Sequence, residues 1–351
     1  MTGTRRHRLM ITAPGEVAIT AEPLPRPGPG QVLAWSVVSG ISHGTELAWY
    51  RGQAAALHLG WDPEARVYRD GTPGRSYPVD PGYETVARIE ETGSGVTAVC
   101  PGQLVCLDKP HADLHLVTEA EAKRGLLPDD TEPERAVFIP LARVALGGIH
   151  DAAISVGDVV MVTGLGVVGL LAAQIAKLAG AGVVIGVDRY PQRLEAARRL
   201  GIHPIAGEPG TDVADAAGAP TRPHGVDVAI EASGSYRLLH QAIRSVRPGG
   251  RVVTVASYHG DQRGLSLGHE YHRNKITLIS SMTVNGCPQR GYPAWDLDRL
   301  NVVARELILD TKLASAELIT HRIPLTSAGT AYELIDSRPE DTIKVVLTYA
   351  V

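Results

Sequence analysis

Four apolar residues, Val159-Val160-Met161-Val162, give way to Gly164-Leu165-Gly166-Val167-Val168-Gly169 and then to a helical pattern over Leu170 to Ala179. A buried strand, a G-x-G-x-x-G turn and a helix form the opening of a βαβ unit. The alternation continues. Val183-Val184-Ile185-Gly186-Val187-Asp188 reads as a second strand and Pro191 to Leu200 as a second helix. Val226-Asp227-Val228-Ala229-Ile230 and Arg251-Val252-Val253-Thr254-Val255 follow as strands, with a helix near Tyr236 to Val246 between them. Strands alternating with helices need right-handed crossovers and predict a parallel, doubly wound sheet.

Within that frame the turn has a chemical reading. Its glycines permit a tight bend, close approach of backbone to a pyrophosphate, and close helix–strand packing, while the helix N-terminus offers free N–H groups. Asp188 closes the second strand nineteen residues after Gly169, where its carboxylate can accept ribose hydroxyls and repel a 2′-phosphate. The expected cofactor is therefore NAD(H), with Arg189 next door as the one feature favouring a 2′-phosphate. Ser233, in Ala232-Ser233-Gly234, follows a strand and is expected on the adenosine side. Tyr258 and His259 follow another strand at the sheet edge where ligands bind in such folds.

The first 145 residues read differently. Short β-type runs such as Gln31 to Val38 and Thr85 to Glu90 sit between Gly and Pro, which predicts an irregular, mostly antiparallel β domain. Arg51 to Pro81 reads as a long polar loop near a site, with Trp49, Tyr50, Trp61 and Tyr68 available for stacking. A length of 351 residues suits two domains. A net charge of -4 argues against nucleic acid or an anionic membrane as partner. Met1 to Met10 is basic without an apolar core, so no secretory signal is expected. Val159 to Val187, broken by six glycines, Gln174 and Lys177, reads as strand-helix-strand rather than a membrane span, and a cytoplasmic location is expected. Cys100, Cys106 and Cys287 are too few and too scattered for a disulfide framework or a cysteine metal cluster.

Several segments resemble the medium-chain dehydrogenase/reductase family, and in particular its zinc alcohol dehydrogenases. Pro81-Gly82-Tyr83-Glu84, leading through Val86 to Val96 into Pro101-Gly102-Gln103-Leu104-Val105, is similar to their Gly-His-Glu segment and the hairpin after it. Gly40-Ile41-Ser42-His43-Gly44-Thr45-Glu46 resembles Gly-Ile-Cys-x-Thr-Asp, and Leu318 to Leu325 and Ile343 to Leu347 resemble C-terminal motifs. The resemblance implies an α/β chain. A Rossmann doubly wound parallel sheet over 146–282 would be inserted into a mostly β, GroES-like catalytic domain formed by 1–145 and 283–351, with the active site between them. It also implies a homodimer through edge strands, for which Lys275 to Met282 is the expected pairing run.

The departures from the family are specific. Its catalytic zinc needs a Cys, a His and a third Cys, Glu or Asp. Here the first position is Ser42 (or His43, if the extra residue Gly44 is absorbed differently) and the second is Tyr83. The third segment reads Phe138-Ile139-Pro140-Leu141-Ala142, so no metal is expected. A protein group must then handle the proton. Tyr83 is the expected acid/base, with its phenol lowered toward neutrality by a nearby cation. Thr45 would hold the substrate oxygen, and His43 would relay the proton or bind pyrophosphate. Glu46 and Glu84 are expected as orienters or ion-pair partners. His111 and His115, sharing one strand face, are expected to be exposed. A solvated loop is expected for His269 and His272, and a structural role for His321. The function these residues imply is a zinc-independent oxidoreductase interconverting a secondary alcohol and a ketone on a polar small molecule, such as a sugar or cyclitol. Reduction of a carbon–carbon double bond and non-catalytic NAD(H) binding are the alternatives.

Overall fold

The computed structural model describes residues 4–71, 73–218, 224–260, 262–282 and 295–350. Cys287 lies outside them. The chain divides into two compact units, one of Met1–Phe138 with Ile319–Val351 and the other of Ile139–Leu318.

The second unit is built on a six-stranded sheet in which every pairing is parallel. Its order is His203–Ala206, Val183–Asp188, Val159–Thr163, Val226–Glu231, Val246–Thr254, Thr277–Ser280. The chain thus reverses its direction of travel across the sheet beside Val159–Thr163, the switch point at which doubly wound sheets bind dinucleotides. All five residues of that strand are buried. A continuous apolar run, rather than an alternating one, is what a strand covered on both faces requires. The second helix of the βα pattern spans Pro191–Arg199, and the one after the glycine turn spans Val167–Leu178. Beyond the described edge strand the backbone is unpaired among the described residues, and Leu278 is exposed there.

The boundaries read from the sequence, 145 and 282, shift to 138 and 318. The reason lies in residues 297–318, which bond to the parallel-sheet unit. Arg143 on the helix Ile139–Ala152 donates to Asn301 on the helix Leu297–Leu309 at 2.8 Å. Gln174 exchanges two hydrogen bonds with the Ala314 backbone, at 2.8 and 3.1 Å.

The first unit is mainly antiparallel and GroES-like. Its sheet runs Ile319–Pro324, Lys344–Thr348, Gln31–Gly40, Thr85–Thr92, Leu104–Leu107, with Leu114–Thr118 also paired to Gln31–Gly40. The C-terminal residues therefore sit directly against the N-terminal ones. The hairpin Thr4–Ala13 and Glu16–Leu24 completes it.

Two expectations fail here for identifiable reasons. His111 and His115 are buried, not exposed. Residues 111–113, just before the strand Leu114–Thr118, hydrogen-bond to Leu9 and His7 on one side and to Ser36 on the other, which places them inside. Burial pushes His115 down to about 3, so it stays neutral beside the Ser36 hydroxyl 3.0 Å away. The segment Arg51 to Pro81 is also more than a loop. It carries a short hairpin, Gly60–Asp62 with Val67–Arg69, on which Trp61 and Tyr68 stand exposed and edge-on at 5.0 Å. Tyr50, by contrast, is core, packed on Tyr332. Among the described residues no helix is long and apolar enough to cross a membrane.

Candidate functional site

In the first unit, Ser42 precedes the helix His43–Tyr50 but does not cap it. Its hydroxyl instead shares a 2.6 Å hydrogen bond with the Tyr83 hydroxyl. Thr45, one turn into the helix, adds a side-chain hydrogen bond to the same phenol. Ser42, Thr45 and Tyr83 therefore form a cluster of three hydroxyls on the half-buried tyrosine, and Thr45 reaches solvent. His43 opens the helix and is half-buried.

Glu46 anchors this cluster from below. Its Oε1 accepts the Ser42 N–H at 2.7 Å, and its Oε2 faces His111 Nε2 at 3.0 Å and accepts the Tyr332 hydroxyl. The other nitrogen of His111 shares a 2.7 Å hydrogen bond with Ser39, which also bonds Tyr349 at 2.7 Å. Burial pushes the Glu46 carboxyl up, but His111, the Ser42 N–H and Tyr332 together hold it below the ordinary range. His111 fits because Gly82, at φ 99°, has no side chain: a Cβ there would lie 2.8 Å from the imidazole.

Glu84 and Lys344 form a second buried pair, 2.5 Å apart and both fully inaccessible. Lys344 also donates to the Ile41 carbonyl at 2.9 Å, and its ammonium lies 5.9 Å from the Phe138 ring centroid. Room for the pair comes from Gly40, where a Cβ would sit 2.6 Å from both partners. Burial drives the Glu84 carboxyl up to about 7 against the pull of Lys344. The same forces act on Tyr83. Burial, then the Glu84 charge, raises its phenol well above the usual value, and the Ser42 and Thr45 hydrogen bonds recover only part. The expected lowering by a cation is thus reversed, because Lys344 is committed to Glu84.

These residues do not fit a zinc ion. The hydroxyls at the two expected ligand positions bond to each other, and both nitrogens of His111 are engaged. Lys344 adds a buried positive charge beside Glu84. Among the described residues, no group of three or more His, Cys, Asp or Glu is placed to hold a metal.

In the second unit the glycine turn has the geometry its spacing predicts. Gly164 is at φ 88°, and a Cβ on Gly169 would lie 1.8 Å from the Gly164 carbonyl oxygen, so the helix can approach only without one. Gly166 faces open space, which leaves the backbone approachable where Val167 and Val168 begin the helix. Leu165 is buried beneath the turn. These features fit a pyrophosphate. Asp188 is 5% exposed and holds the turn itself: Oδ2 accepts the Leu165 N–H at 2.8 Å, and Oδ1 accepts those of Arg189 and Tyr190 at 2.8 and 3.0 Å. Arg189 is exposed, with its guanidinium 4.7 Å from the Tyr190 ring centroid. Ser233 lies against Gly164, and Tyr258 and half-buried His259 stand in the loop after Val246–Thr254.

Sequence reasoning missed Ser39, Tyr332 and Tyr349, and misjudged His111. Only Gly82 carried a signal, since a glycine before Tyr83 leaves space that some other side chain must fill.

Comparison with known proteins bears on both units. Residues 167–299 match the family model described as zinc-binding dehydrogenase. D-guloside 3-dehydrogenase of Escherichia coli K12 is 32% identical over 88% of this chain and 89% of its own length. Among solved structures, a zinc-binding dehydrogenase from Sinorhizobium meliloti 1021 bound to NADP superposes with TM-score 0.76 at 21% identity, over 98% of this chain and 99% of that one. A short chain alcohol dehydrogenase from E. coli CFT073 complexed with NADH gives 0.75 at 19%, over 99% and 100%.

Proposed function

Because this chain belongs to the zinc-type, alcohol dehydrogenase-like medium-chain dehydrogenase/reductase family, we propose that it is a zinc-independent, NAD(H)-dependent oxidoreductase interconverting a secondary alcohol and a ketone on a sugar-like or cyclitol substrate. The observation that carries this reading is the hydroxyl cluster of Ser42, Thr45 and Tyr83 at the positions where the family keeps metal and substrate oxygen. The sugar-derivative substrate of the guloside dehydrogenase supports the substrate class.

A bound nicotinamide supplies or accepts the hydride; the proton falls to the chain. Tyr83 donates its phenolic proton to the substrate oxygen as negative charge develops there, and Thr45 holds that oxygen. Ser42 keeps the phenol oriented through their shared hydrogen bond. Burial and Glu84 keep the phenol protonated at neutral pH, so there it can give a proton but not take one, which matches the direction of ketone reduction. A panel of sugars, cyclitols, their ketones and enones, followed by NADH and NADPH absorbance, tests the reading. Activity on alcohols or ketones should survive a chelator, with well under one zinc per chain. Activity on enones alone, or loss of activity with chelator, would contradict it.

Asp188 should make NAD(H) bind more tightly than NADP(H). Asp188→Ala should weaken both, because the Leu165 N–H loses its acceptor, and NAD(H) more. A charged hydrogen bond is worth roughly 1.5–3 kcal/mol, so the preference should shrink about tenfold or more in paired titrations. If NADPH binds better to the unmodified chain, the preference rests on Arg189 instead.

A homodimer is proposed through the edge strand Thr277–Ser280, within the run predicted from sequence. An exposed parallel-sheet edge is a pairing surface that a twin would cover. Light scattering at micromolar concentration should give twice the chain mass; a monomer refutes this assembly.

A further inference from the structure

One buried acid has no part in the chemistry above. Glu231 ends the strand Val226–Glu231 at the carboxyl edge of the parallel sheet and is fully inaccessible. Among the described residues no cation pairs with it. Its Oε1 accepts the Ser233 N–H at 2.8 Å and the Ser233 hydroxyl, and its Oε2 accepts the Gly234 N–H at 3.2 Å and the Tyr258 hydroxyl. Burial holds its carboxyl above the ordinary range despite those donors. A lone carboxylate in the interior is costly, and stability alone gives no reason to keep one. Such groups collect at functional sites.

The contacts around Glu231 indicate which function. A Cβ on Gly164 would lie 2.7 Å from the Ser233 Cα, so the glycine turn rests directly on the loop after Glu231. Gly234, at φ 69°, rests in turn on the next loop, where its Cβ would lie 2.6 Å from the Ser257 carbonyl oxygen. Tyr258 follows, with its ring 5.0 Å from that of Tyr236. The loops leaving the strands that end at Thr163, Glu231 and Thr254 thus touch one after another across the switch point. Glu231 is the polar group bonded to both of the last two.

We propose that Glu231 is a positioning residue for dinucleotide binding, fixing the Ser233–Gly234 loop and the Tyr258 loop as one wall against the Gly164 turn. The carboxylate suits this task because its partners, the Thr163 hydroxyl at 3.5 Å included, are all donors, and only a charged group accepts from all of them with no proton of its own to place. The inference rests on the proposed function only in requiring a dinucleotide; it is independent of the chemistry at Tyr83.

Titration of the full chain with NADH, NADPH and ADP-ribose, alongside thermal midpoints without ligand, tests it. Glu231→Gln keeps the size but turns an amide N–H toward a donor. It should weaken the preferred dinucleotide tenfold or more while leaving the unliganded midpoint within a few degrees of the parent. Tyr258→Phe should lose part of that affinity, and the double variant no more than Glu231→Gln alone, since both act through one contact. Unchanged affinity in Glu231→Gln, additive losses, or affinity falling only in step with the midpoint would overturn the role. If none of the three ligands binds the unmodified chain, the dinucleotide reading fails and this role with it. Binding to the unmodified chain that Glu231→Gln leaves intact sinks this role alone.

Discussion

Tyr83→Phe is expected to lower kcat by roughly 10²–10⁴, the usual worth of a positioned acid or base, and to leave NADH affinity unchanged. The substitution removes only the hydroxyl. Ser42 would lose its partner at 2.6 Å, but the ring would keep its packing, and the nucleotide turn belongs to the other unit. Thr45→Val should cost less, since a threonine that only holds the substrate oxygen moves no proton. His43→Ala should be severe only if His43 carries the proton to solvent. The pH profile provides a separate check. Burial and Glu84 hold the phenol above its ordinary value, so the acid form persists past that value and is lost only at still higher pH. Ketone reduction should therefore stay flat through neutrality and fall only above about pH 10, while alcohol oxidation rises with pH. Full activity in Tyr83→Phe would transfer the proton to another group, with His43 the next to test.

The second large effect is on stability. Lys344→Met keeps most of the side chain's length and removes its charge, leaving Glu84 buried without the ammonium 2.5 Å away. Breaking a buried pair by deleting one partner typically costs 3–5 kcal/mol, because the remaining charge has neither water nor counter-ion, so about that loss is expected here. Denaturant unfolding of the variant should show it. Adding Glu84→Gln to Lys344→Met should recover much of the loss, since the double variant buries no charge. A Lys344→Met chain as stable as its parent would refute the pair as a stabilising contact.

What could be read from sequence divides along a physical line. The parallel sheet, the glycine turn and Asp188 follow from local rules: a strand buried on both faces is apolar throughout, and a turn this tight needs glycine. Tyr83 and Thr45 were legible through resemblance and do meet in space. The support beneath them was not. Glu46 finds Tyr332, and Ser39 finds Tyr349, hundreds of residues along the chain. No periodicity records a contact at that distance. His111 shows the limit most sharply. His115 lies on the strand Leu114–Thr118 and His111 just before it, so the expected shared strand face does not extend to His111, and period-two alternation cannot tell which face another segment will cover.

The division of the first unit between both ends of the chain has a consequence for how the protein is made. Lys344, Tyr332 and Tyr349 all lie in the returning segment Ile319–Val351. Until the ribosome has released that segment, Glu84, Glu46 and Ser39 are acids and a hydroxyl waiting in an unfinished interior. Ile139–Leu318 is continuous and can close its own sheet earlier. A nascent chain should thus carry a formed parallel-sheet unit while the first unit is still open, and loss of Ile319–Val351 should harm that first unit before the other.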